Sequence, residues 1–124
     1  MPSKAEHLDK AEHNEHFASR LNQDGNYVNY RDWVVTGYFY SAVHYVEAYL
    51  ATKSPPVHSE NHPARDTTIG SDGVLQQIYD EYRALKDDST NARYMMVMPT
   101  PITVANYVQP NHEKIKSYLL AHIP

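Results

Sequence analysis

Residues 30–52 read YRDWVVTGYFYSAVHYVEAYLAT. Val35, Phe39, Ala42, Val43, Val46 and Leu50 recur three and four residues apart, the period of one helix face. Tyr38, Tyr45 and Tyr49 stand beside that stripe, and Trp33, Gly37, Tyr40, His44, Glu47 and Ala48 lie opposite it. Between Trp33 and Thr52 the only formally charged side chain is Glu47. A helix this apolar around its circumference belongs at the centre of a fold, buried on most sides. His44 and Glu47 share a face of it. They serve either a His–carboxylate proton transfer or a hydrogen-bonded link to neighbouring helices.

Working outward, Lys4 to Asn22 reads as a helix with Ala11, Phe17, Ala18 and Leu21 on its apolar arc and Asn14 inside that arc. Asp24-Gly25-Asn26 ends it. On the other side, Ser54-Pro55-Pro56 closes the central helix and an irregular, His-rich segment follows. Pro63 suits the first turn of a short helix reaching about Ile69. Gly70 to Gly73 breaks that helix, and Asp72 is placed to cap the next. The next helix runs from Val74 to Asp87, with Leu75, Ile78, Tyr82 and Leu85 in phase and a turn expected at Asp88-Ser89. Pro99 and Pro101 forbid a regular helix between Met95 and Val108, where Thr103 caps a single turn before Pro110 interrupts again. Asn111 to Ile123 is a final helix. YMMVM alone has strand-like composition, and five residues cannot build a sheet. The expected fold class is all-α: one domain over residues 1–124, an antiparallel bundle of four to five helices.

Composition narrows the function. A formal charge of -4 disfavours charge-driven nucleic-acid binding, and DNA-groove recognition with it. With no cysteine, there is no disulfide, thiolate ligand or cysteine nucleophile. No apolar leader opens the chain and no segment has the length of a membrane span, so a cytoplasmic location is expected. Eleven Tyr against two Phe exceed what one buried stripe per helix needs, and a homodimer with Tyr-rich contacts is expected from that excess.

Two segments together carry a resemblance: DWVVTGYFYSAVHYVEAYLA at 32–51, and the run from His62 to Tyr94 with HPAR, IYDEYRALKDDS and ARY. With HNE at 13–15 and the closing IKSYL, they resemble the HEPN superfamily over about three quarters of the chain. That resemblance implies a helical bundle, often dimeric, that handles RNA or a nucleotide or docks a partner such as a small nucleotidyltransferase. Many members are metal-independent ribonucleases with Arg followed, after four to six residues, by His. None of Arg20, Arg31, Arg65, Arg83 and Arg93 is followed by His at that spacing. The catalytic pair therefore does not carry over.

What remains is a candidate constellation. His44, His62 and Arg65 can assemble an Arg-plus-His site in reversed order, Arg for phosphate charge and His for the proton. Asn14, Tyr40 and Glu47 are expected around it as binding residues, Tyr40 at the edge. His58 reads as solvated loop, and Arg93-Tyr94 as a structural turn. His13/His16, His44/Glu47 and His58/His62 have helix-compatible spacings, but none stands in a recognised metal signature, so no metal and no cofactor is expected. The leading expectation is a domain binding a nucleotide, RNA or protein partner in a polar His/Arg cleft. The alternatives are an atypical ribonuclease using His44, His62 and Arg65, and a dimerisation module.

Overall fold

A computed structural model describes residues 1–124. Five helices make up the fold: α1 (Lys4–Gln23), α2 (Arg31–Ala51), α3 (His62–Ser71), α4 (Tyr79–Tyr94), and α5, which joins Pro101–Thr103, a π-helical turn Val104–Val108 and Gln109–Leu120. There is no strand, and no helix is long and apolar enough to cross a membrane.

The central helix sits where its composition demands. α2 packs against α1, α4 and α5, and Val35, Phe39, Ala42, Val46, Ala48 and Leu50 are fully buried on it. Side-chain pairings give the directions. His7 meets His44 and Ala11 meets Ser41, so α1 runs antiparallel to α2. Asp72, ahead of α4, meets Tyr49 and Lys53, while Arg93 near the end of α4 meets Tyr40, so α4 also runs antiparallel to α2; Glu15–Lys116 and Glu81–Lys114 tie α5 to α1 and α4. Tyr38 meets Gln109 and Ser41 meets His112, so α5 lies parallel to α2 across the bundle. The result is an up-down-up-down bundle, with α3 as a short crossover element.

Local signals set the helix ends. Ser3 and Glu6 form a reciprocal capping box on α1. Asn61 caps α3, whose first turn holds Pro63. The helix expected from Val74 begins instead at Tyr79, after a 3-10 turn over Leu75–Ile78; Asp72 accepts from the backbone N–H groups of Val74 and Leu75 at the start of that turn and pairs with Lys53 at 2.7 Å.

Four expectations need correction. Asp88-Ser89 is no turn: α4 continues to Tyr94 because Ser89 is fully buried in phase with Tyr82 and Leu85. ARY is therefore the last turn of a helix. Pro101 does not exclude helix either; it stands in the first turn behind a Thr100 cap, where its missing N–H costs nothing. Pro110 lies inside α5, immediately after the π-helical turn, whose wider Gln109 N–H to Val104 carbonyl bond gives the backbone room ahead of the ring. Lastly, Phe17 is half exposed, and the buried arc of α1 is His7, Ala11 and Ala18.

Candidate functional site

The α1–α2 seam is close because α2 offers Gly37. A Cβ there would stand 3.0 Å from Ala18 Cβ and 3.3 Å from the Phe17 ring. Beside this contact the helices part into an open groove lined by Lys10, Asn14, Phe17, Trp33, Thr36, Gly37, Tyr40 and His44. Asn14, Tyr40 and His44 thus come together, as the sequence led one to expect. Trp33 and Phe17 are each 50% exposed, two aromatic surfaces on a face that also carries an amide, an ammonium and an imidazole. Behind Tyr40, Arg93 Nη1 donates to its hydroxyl at 3.3 Å and the guanidinium lies 5.6 Å from the ring centre.

Glu47, one turn further along α2, meets His62 and Arg65 of α3 in a second polar cluster outside the groove lining. Arg65 Nε donates to Glu47 Oε1 at 2.8 Å, the backbone N–H of Ser59 donates to Glu47 Oε2 at 3.2 Å, and Arg65 Nη1 meets His62 Nδ1 at 2.9 Å. Since the guanidinium can only donate, His62 Nδ1 is the acceptor and its proton sits on Nε2. Burial alone would raise the Glu47 carboxyl; the hydrogen bonds from Ser59 and Arg65 outweigh it and hold the group below the usual carboxylate range. Burial, then the Arg65 charge, pushes His62 down. His62 also packs on Phe39 and Tyr40. Arg65 is 8% exposed and Glu47 2%, so Arg65 ties α3 to α2 and has no free face for a phosphate. Neither His62 nor Arg65 lines the groove.

Two further histidines join this end of the bundle. His7 is buried, and its Nδ1 lies 3.0 Å from His44 Nδ1, so the pair shares one proton between two neutral rings. Burial and the neighbouring His7 push His44 down to about 4, and burial likewise lowers His7. His58 stacks against His7 at 6.0 Å between ring centres and approaches Glu47 Oε2 at 3.8 Å. The sequence carried a signal for His7: it precedes Ala11, Asn14 and Ala18 at four- and three-residue steps and so belongs to the same face. No local signal placed His58 there.

A third missed histidine is His112 on α5, with its ring near Tyr38 and Tyr45. Ser41 Oγ donates to the Ala11 carbonyl at 2.7 Å and, having one proton, must accept from His112 Nε2–H at 2.8 Å. This chain joins α1, α2 and α5, and burial pushes His112 down to about 4.

No family model matches the chain, and no curated protein and no solved structure matches it.

Proposed function

We propose that the chain is a binding domain whose α1–α2 groove takes a nucleotide or the end of an RNA strand, without cleaving it. The observation that carries this reading is the composition of the groove: Trp33 and Phe17 present half-exposed rings beside Lys10, Asn14 and His44. Exposed aromatic faces stack on bases, worth about 1–3 kcal/mol per base, and an ammonium with an amide suits a phosphate and a base edge. The HEPN-like character of this reading rests on the sequence motifs alone. Against cleavage stand the missing Arg-to-His spacing and the commitment of Arg65 to Glu47 and His62.

Trp33 is the only Trp, so its fluorescence reports on the groove directly. Titration with adenosine monophosphate and with a short single-stranded RNA should quench it saturably for at least one of them. Lys10→Ala should weaken that ligand about tenfold, the loss of one charge-assisted contact. Absence of quenching by either probe into the millimolar range, or quenching indifferent to both Lys10→Ala and Asn14→Ala, would overturn the reading.

A further inference from the structure

We infer that His7, Glu47 and His58 form a site for a divalent first-row transition ion, zinc foremost, with His44 as a positioning residue. One ring nitrogen from each histidine and one carboxylate oxygen of Glu47 all lie within 4.8 Å of one another. Ligand atoms around a zinc ion at about 2.0–2.2 Å stand roughly 3–4 Å apart, so the set lies within a modest side-chain swing of coordinating spacing. His58 can make that swing. It sits on the segment between α2 and α3 with its side chain 37% exposed, while His7 and Glu47 are fixed in the bundle. Two imidazoles and a carboxylate suit zinc and its neighbours, and leave a coordination position for water.

The bland explanation, a satisfied hydrogen-bond cluster, fits poorly. The His7 ring makes one hydrogen bond, to His44, although the residue is 4% exposed. The approach of the His58 ring to Glu47, 3.8 Å, is too long for a hydrogen bond. Ser59 Oγ, buried next to the carboxylate, makes no hydrogen bond of good geometry. A buried imidazole and a buried hydroxyl thus retain hydrogen-bonding capacity beside the Glu47 carboxylate. His44 completes the arrangement, since a hydrogen bond to the other nitrogen of a ligating imidazole fixes its tautomer and orientation.

The full chain, stripped of metal by a chelator, is titrated with zinc ion alone by calorimetry and with cobalt(II) by visible absorption. The expected result is one ion per chain at micromolar affinity or better, with d–d bands from the cobalt form. His58→Ala should weaken zinc at least tenfold while the helical circular dichroism and thermal midpoint stay put. His44→Ala should keep the stoichiometry, weaken zinc by about tenfold and shift the cobalt bands. A double His13→Ala, His16→Ala variant, changing the exposed pair elsewhere on α1, should bind as the parent does. No stoichiometric uptake, uptake untouched by His58→Ala, or uptake lost with His13 and His16 would each overturn the proposal. No nucleotide enters the experiment, so its failure and that of the groove reading are separate.

Discussion

Two polar regions cut into the apolar bundle, and they are built differently. At the centre, Ser41 and His112 form a closed chain: one hydroxyl proton goes to Ala11, one imidazole proton goes to Ser41, and three helices are joined. At one end, His7, His44, Glu47, His58, His62 and Arg65 crowd together, anchored by one ion pair but with ring nitrogens left over. The Ser41 hydroxyl is used in full, its proton given to one helix and a lone pair taken up by another, so the cost of burying it is offset on the spot. Spare lone pairs beside a half-exposed loop mark a place where something else can bind.

The largest effect that tests this contrast is at the anchor. Arg65→Ala leaves Glu47 buried without its counter-charge, and should lower unfolding stability by about 3–5 kcal/mol in urea titrations. A loss below about 1 kcal/mol would mean that Glu47 reaches water readily and the end region is not a buried node.

The closed chain has its own signature in acid. His112 titrates near 4 in the fold against an ordinary value of 6.5, so the unfolded chain takes up the proton first. Its contribution is complete above about pH 6.5, is lost as pH falls from 6.5 to 4, and is flat below that. Burial dominates; Glu15 and Glu113 pull the value up and Lys116 pushes it down. The loss over this window should reach about 3 kcal/mol. Comparing the parent with His112→Gln at pH 7 and pH 4.5 isolates it, and an unchanged pH slope in the variant would break the assignment.

The smallest effect sharpens the comparison. If the spare capacity of His58 serves binding rather than folding, His58→Ala should move metal-free stability by less than about 0.5 kcal/mol, as for an ordinary surface change. A loss near that of Arg65→Ala would make His58 part of the framework.

Helix periodicity and end chemistry were legible because they are local. The stripe from Val35 to Leu50 recorded the burial of α2, and Pro63 and Asp72 marked their turns through rules spanning a few residues. The same local rules misjudged Ser89 and Pro110, where tertiary packing and a π-helical turn overrode turn and breaker propensity. The expected grouping of Asn14, Tyr40 and His44 followed from antiparallel packing of two adjacent helices, which short connections favour.

The sequence by itself determined an all-helical chain with a buried central helix and excluded the usual Arg-to-His nuclease spacing. Only the tertiary structure decided which polar groups meet. His7 reaches His44 across 37 positions, and His112 reaches Ser41 across 71. Such meetings depend on the register of one helix against another, and for α1 on α2 that register is set where Ala18 and Phe17 close over the missing side chain of Gly37. Periodicity says which residues share a face. It does not say at what height two faces are pressed together, because that is fixed by the best fit of side-chain volumes in the packed core.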